Sequence, residues 1–233
     1  MKDFIVTVKK LTDIDLMREA CECTFLGKSN QSLLSIYKSE HSPCRTQLFW
    51  IKLENIPLFV STHLLRHTVG AVPFQLSCRT DRHGGNPNLP GQVDSIKERL
   101  EIMRSQINNA SYGDQFDMID KIEENLDWMA NNCDRMTPVN LGICLNAQAL
   151  MNMSRRRLCN QASKETIEVF KAIKSKIQEI DPDLAAMMQP YCIYRNGLCG
   201  EPRCCGFNST PAFRKELAVY LDNFTDKQKG KKE

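Results

Sequence analysis

"HLLRHTVGAVPFQLSCR", residues 63–79, changes its period halfway along. The run that leads into it, "IPLFVSTHLLRH" (56–67), reads as a helix that opens beside Pro57, because the fixed φ of proline suits a first helical turn. In that frame His63, Arg66 and His67 stand at i, i+3 and i+4 and share one face. After Gly70 and Pro73 the period becomes two. In "FQLSCR" Phe74, Leu76 and Cys78 point one way and Gln75, Ser77 and Arg79 the other, as on a strand with one buried face. A helix running into a strand thus sets a basic and imidazole cluster beside a polar row. Arg66, His67, Ser77 and Arg79 suit a phosphate group, since guanidinium donors pair bidentately with its oxygens and imidazole and hydroxyl groups add further bonds. The alternative is a solvent-facing basic helix end followed by an ordinary strand, and spacing alone leaves both open.

Outward from this stretch the chain alternates strands and helices. "FIVTVKKL" (4–11) has the alternation of an opening strand, and "TDIDLMREACECTF" (12–25) reads as a helix capped by Thr12 or Asp13. "QLFWIKL" (47–53) is a second strand. "TDRHGGNPNLPGQ" (80–92) is a loop by its Gly, Pro and Asn content, and 93–131 carries helical patterning. Residues 144 to about 180 contain no Pro or Gly and form one long helical candidate. On it Asn146, Leu150, Met153, Arg157 and Gln161 lie near one meridian, while Ala147, Met151, Leu158, Ala162 and Val169 make an apolar stripe. Of the run Arg155, Arg156, Arg157, one or two side chains at most can share a site, and Arg157 is the one on the side of Asn146.

The bulk properties fit a soluble α/β (α+β) protein. The 233 residues are 42% hydrophobic and 25% charged, and the net charge of +3 is too small to argue for binding a nucleic-acid polymer. No window is apolar over eighteen residues, and "MKDFIVTVKKLTDIDLMREA" lacks the apolar core of a signal peptide, so no membrane partner is expected and the location is expected to be cytoplasmic. A single domain over 1–223 and a basic, disordered tail over 224–233 are expected. The eleven cysteines are odd in number and favour reduced thiols over a disulfide framework. Cys192, Cys199, Cys204 and Cys205 are zinc candidates, although adjacent cysteines rarely both ligate one ion, so the default is no metal and thiols packing a loop. Neither G-x-G-x-x-G after a strand, nor G-x-x-x-x-G-K-[ST], nor H-E-x-x-H occurs. No nucleophile paired with a base can be identified, which suggests a site that orients a flat polar molecule while a cofactor carries the chemistry.

At these residues the chain resembles the flavin-dependent thymidylate synthases, the ThyX family. Their signature R-H-R-x-x-S-x-N-x-x-S-x-R is similar to "RHTVGAVPFQLSCR", which keeps Arg66-His67 at one end and Ser77-x-Arg79 at the other and is one residue longer between them. "HSPCRTQLFWIKLENIPLFVSTHLLRH" and "LNAQALMNMSRRRLCNQASKE" resemble the family's segment before the signature and its long N-A-R-x-L-x-N-x-x-x-x-R helix. The resemblance implies a ThyX-like fold, with an antiparallel or mixed sheet packed against long helices in a homotetramer. It also implies FAD as cofactor, NADPH and methylenetetrahydrofolate as co-substrates, and conversion of dUMP to dTMP without an enzymic cysteine nucleophile.

Position by position, it implies that Arg66, His67, His41, Asn146 and Asn152 hold the cofactor. His63, Gln75, Ser77, Arg79, Arg135 and Arg157 fall at substrate positions, with Arg79 and Arg135 on the phosphate and Arg157 on the pyrimidine. Arg157 and Ser77 are the catalytic candidates. The chain departs from the family pattern at Thr68, where an Arg is usual. It departs also at Gln75 for Glu, His63 for Gln, Gln148 for Arg, and Gln161 for His. Replacing Glu by Gln exchanges an acceptor for a group that both donates and accepts, which alters how a pyrimidine edge is read. These departures keep two alternatives open: hydroxymethylation of dUMP or dCMP, and a nucleotide-binding protein without catalysis.

Overall fold

The computed structural model describes residues 4–24, 31–75, 111, 113, 117, 120 and 135–225. Ser77, Arg79, the 80–92 loop, nearly all of the patterned stretch 93–131 and residues 226–233 lie outside the described residues. Elements are numbered along the described chain. The alternation of the opening stretch yields β1 (Ile5–Lys10), which pairs antiparallel with β2 (Leu48–Pro57), Ile5 opposite Glu54 and Lys10 opposite Phe49. β3 (Ala71–Gln75) pairs antiparallel with β4 (Pro138–Asn146), Ala71 opposite Leu145 and Gln75 opposite Leu141. Among the described residues these strands form one sheet in the order β1-β2-β4-β3. Phe49, Ile51 and Leu53 of β2 and Val139, Leu141, Ile143 and Leu145 of β4 are all buried, so alternate residues of both central strands face the core.

α1 (Ile14–Glu22) is capped by Asp13, whose carboxylate accepts from the Ile14 amide. α2 (Leu33–Lys38) and a 3₁₀ turn at Ser42–Thr46 lead into β2, and α3 (Leu58–Leu65) follows β2 directly. The long helical candidate is two helices. β4 extends through Asn146, α4 spans Ala147–Arg157 and α5 spans Lys164–Ile180. The division has no Pro or Gly to announce it. Asn146 caps the start of α4, its Oδ1 accepting from the Ala149 amide at 2.9 Å, and the break is marked by Ser163, whose Oγ accepts from the Thr166 amide at 3.3 Å to start α5. α5 buries Val169, Phe170, Ile173 and Ile177 and packs against β1 and α6 (Pro182–Met187). α7 (Tyr191–Tyr194) is one turn, and α8 (Pro211–Thr225) continues two residues into the segment expected to be tail.

β3 also departs from expectation. Phe74 is 57% exposed, not buried, and among the described residues β3 is the outermost strand of the sheet. Phe74 lies opposite Gly142, where a Cβ would meet the Trp50 ring at 2.6 Å; the bare glycine lets that ring lie across β4 and reach Phe74, centroid to centroid 5.8 Å.

The chain divides into two compact units, one comprising Met1–Ile56, Val60–Gln75 and Asn140–Glu233, the other Pro57–Phe59 and Leu76–Val139. Within the second, the Leu58 amide donates to the Thr137 carbonyl at 2.9 Å, and the Arg135 guanidinium lies 4.4 Å from the Phe59 ring centroid.

Candidate active site

α4 carries three consecutive arginines, and successive helical residues turn by about 100°, so their side chains leave in three directions. Arg157 reaches the end of α3. Its Nε donates to His67 Nε2 at 2.9 Å and its NH2 to the His63 carbonyl at 2.6 Å. Since Nε2 is the acceptor, the proton of the neutral His67 ring sits on Nδ1. Burial pushes the His67 pKa down to about 4, and the Arg157 and Arg156 charges add to the effect. Burial also lowers the Arg157 pKa, with Arg66 and Arg156 contributing through like-charge repulsion. This corner is therefore cationic, with Arg66 exposed at its rim. His63 Nδ1 lies 3.2 Å from the hydroxyl of Thr166, which is buried in the first turn of α5.

The loop after α3 is tied to the start of α4. Gly70 has φ +73 and its carbonyl accepts from the Asn146 amide at 2.9 Å. A Cβ on Gly70 would come within 2.6 Å of Asn146 Nδ2, so this contact requires glycine both for its backbone and for its bareness. Asn146 Oδ1 is committed to capping α4, which leaves its Nδ2 donors facing the loop.

Arg155 turns the other way. It forms an ion pair with Glu40, donates to Asn152 Oδ1 at 2.9 Å, and stacks 3.9 Å from the Tyr194 ring centroid. Glu40 also accepts from Gln148 Nε2 at 2.6 Å and from the Tyr194 hydroxyl at 2.6 Å. Burial alone would lift the Glu40 pKa; the Tyr194 and Gln148 hydrogen bonds and the Arg155 charge outweigh it and hold the carboxyl below its ordinary range. His41 follows Glu40 directly, half-buried at the head of the 3₁₀ turn. Arg156 points outward, pairing with Glu201 at 2.8 Å.

The structure thus brings His63, His67 and Arg157 together, sets Arg66 at their edge, and joins Asn146 to the same loop through Gly70. Asn152 belongs to the Glu40 network, and Gln75 ends β3, half-buried. Arg135 lies in the second unit and is exposed. Gln161 stands past the end of α4, not on its meridian, and donates to the Arg203 carbonyl at 2.9 Å. The four zinc candidates carry free thiols, and among the described residues no group of three or more His, Cys, Asp or Glu is arranged to hold a metal ion. Glu40, Arg155, Thr166 and Tyr194 escape sequence reasoning. Glu40 and Tyr194 are far apart in the chain, and no local period links them.

The sequence pattern of the thymidylate synthase complementing proteins matches residues 26–183, which include both halves of this corner. The chain belongs to the thymidylate synthase complementing protein family. No curated protein matches it at a significant level. Among solved structures it is similar to thymidylate synthase X (ThyX) from Helicobacter pylori, determined with FAD and dUMP. Identity is 16%, the TM-score is 0.50, and the match covers 78% of this chain and 99% of that one. At that identity the likeness establishes the fold, and the α+β class with its antiparallel pairing is the ThyX fold.

Proposed function

We propose that the chain is a flavin-dependent thymidylate synthase that converts dUMP to dTMP, with methylenetetrahydrofolate as one-carbon donor and NADPH as reductant. The observation that carries this reading is Arg157 spanning the gap from α4 to the α3 end, where it orders His67 and His63 and keeps donors to spare. A guanidinium has five N–H donors, of which two serve those bonds, so its outer edge is available to a planar carbonyl group. Arg157 holds and polarises the pyrimidine carbonyl edge. Gln75 reads the same ring with a donor and an acceptor, and by the family pattern Ser77, Arg79 and Arg135 are the residues assigned to the phosphate.

The donors near the loop fit a dinucleotide cofactor. The exposed Arg66 supplies charge for a pyrophosphate, and His67 Nδ1–H, Asn146 Nδ2 and Asn152 Nδ2 offer neutral donors to ring and ribose oxygens. His41 and His63 complete the residues assigned to cofactor and nucleotide. When bound, the flavin supplies the reducing equivalents that turn a methylene unit into a methyl group. A neutral His67 is the form suited to this role, because it accepts from Arg157 and donates from its opposite nitrogen at the same time. The functional unit in this reading is a homotetramer in the cytoplasm.

The test is product analysis after incubation of the purified chain with dUMP, methylenetetrahydrofolate, NADPH and FAD. Formation of dTMP is expected. A hydroxymethylated nucleotide would instead establish the sister reaction, and protein that neither gains a yellow flavin absorbance on adding FAD nor turns over dUMP would refute an enzymic role.

A further inference from the structure

Glutamate stands at position 40, where the backbone favours glycine. α2 closes with two bonds, the Glu40 amide donating to the Tyr37 carbonyl and the His41 amide to the Ile36 carbonyl, both at 3.1 Å. Such a closure puts the residue after the Ser39 cap in the left-handed region, where a side chain is strained and glycine is the usual occupant. Glu40 adopts φ +49 there. Strain carried by a large charged residue points to a use for its side chain.

That side chain fixes the direction of two amides. The Tyr194 and Gln148 hydrogen bonds and the Arg155 charge keep the Glu40 carboxyl ionised at neutral pH, and a carboxylate only accepts. The end of Gln148 that meets it at 2.6 Å is therefore Nε2, and Gln148 Oε1 is left to the Cys44 thiol at 3.5 Å. The other carboxylate oxygen takes the Tyr194 hydroxyl and one terminal nitrogen of Arg155. From its second terminal nitrogen Arg155 donates to Asn152 at 2.9 Å. A guanidinium only donates, so the Asn152 atom it meets is Oδ1, and Gln148 Nε2 approaches the same oxygen at 3.4 Å. The oxygen of Asn152 is thus committed and its Nδ2 is turned away from Arg155. Asn146 is held alike, by an oxygen that caps α4. Two asparagines anchored by their oxygens present nitrogen donors, which suits a ring system rich in carbonyl acceptors such as a flavin.

We propose that Glu40 and Arg155 are positioning residues that hold the Asn152 amide with its nitrogen toward the cofactor. The proposal rests on the reading of Asn152 as an FAD residue, and neither Glu40 nor Arg155 needs to touch the flavin. Glu40 places the Arg155 fork, the Tyr194 ring 3.9 Å from the guanidinium steadies it, and the fork sets the amide. Released from Arg155, the amide can rotate and present its oxygen, which repels a carbonyl oxygen. Tyr194 lies beyond residues 26–183, so part of this support stands outside the family pattern.

The test is FAD titration into the full chain, followed by quenching of flavin fluorescence and by the absorption spectrum of the bound flavin. Wild type, Arg155→Met, Asn152→Ala and the double variant are compared. Each single change is expected to weaken FAD binding roughly three- to tenfold, and Arg155→Met is expected to add less than about twofold once Asn152 is already alanine. A residue that only supports the fold would weaken binding by the same factor in both backgrounds. That result, or an Arg155→Met protein with wild-type FAD affinity and spectrum, would overturn the proposal while leaving the flavoenzyme reading intact. Should Arg155→Met fail to fold, Glu40→Gln takes its place in the same cycle, since it keeps the size of the side chain and removes the charge that places Arg155. It is expected to weaken FAD binding roughly twofold or more with the same dependence on Asn152, and equal factors in both backgrounds would again overturn the proposal. Wild type that binds no FAD would refute the flavoenzyme reading itself, and this inference with it.

Discussion

Acidification weakens this fold through His67 before carboxylates begin to titrate. The half-buried ring accepts the Arg157 Nε–H at 2.9 Å, and burial, with the Arg157 and Arg156 charges, brings its pKa from 6.5 to about 4. Between those values the unfolded chain binds a proton that the folded chain refuses. The stability at stake is therefore fully present above pH 6.5 and is lost progressively as pH falls toward 4. A fall of that size corresponds to at most about 3 kcal/mol, and solvent screening of a half-exposed ring reduces it to about 1–2 kcal/mol. Urea unfolding of wild type and His67→Gln at pH 7 and pH 4.5 measures it. Glutamine keeps an acceptor for Arg157 and cannot titrate, so wild type is expected to lose about 1–2 kcal/mol more than the variant. An imidazole NMR titration gives the same quantity directly, and Arg157→Leu is expected to raise the midpoint while burial keeps it below 6.5. A wild-type His67 that titrates near 6.5, or parallel pH dependence in the two proteins, would refute the reasoning.

Arg157→Ala and Arg79→Ala are each expected to weaken dUMP binding roughly ten- to more than a hundredfold in calorimetric titration, with circular dichroism unchanged, since each removes a charge-assisted hydrogen bond; unaltered affinity in both would contradict the assigned roles. Gly70→Ala forces an L-residue to φ +73 and drives its Cβ into the Asn146 amide, so strain and a weakened cap together cost about 2–3 kcal/mol, read as a lowered Tm. Asp181 is buried and accepts from Lys10 Nζ at 2.7 Å, the Tyr37 hydroxyl at 2.8 Å and the Leu184 amide at 3.1 Å. Asp181→Ala strands both side-chain donors and is expected to destabilise by about 3 kcal/mol in denaturant titration, with a loss below 1 kcal/mol counting against the network.

The features legible in the sequence are those with a short period. Alternation marked β1 and β2, and Pro57 marked the start of α3, but α3 ends at Leu65, so Arg66 and His67 lie beyond it, and Arg157 meets the His67 ring and the His63 backbone carbonyl. The boundary between α4 and α5 was hidden because it is marked by a single cap, Ser163, and serine also occurs inside helices. Phe74 reads as a core residue by its alternation, yet it is exposed, and the pairing with Gly142 explains its contact with Trp50. The Glu40 network joins residues separated by more than a hundred positions, and one cavity is lined by Cys159 together with Cys192, Cys199, Cys204 and Cys205. Such groupings are tertiary facts. A one-dimensional pattern carries them only when a whole motif is matched.

The central claim is that Arg157, ordered by His67 and His63, holds the pyrimidine beside a flavin bound at the Arg66-His67 loop. A crystal structure of the chain with FAD and dUMP tests it most directly. A base carbonyl is expected within hydrogen-bonding distance of the Arg157 guanidinium, with the flavin against Arg66, His67 and Asn146. A nucleotide bound away from Arg157, or neither ligand bound at the corner between α3 and α4, would contradict it.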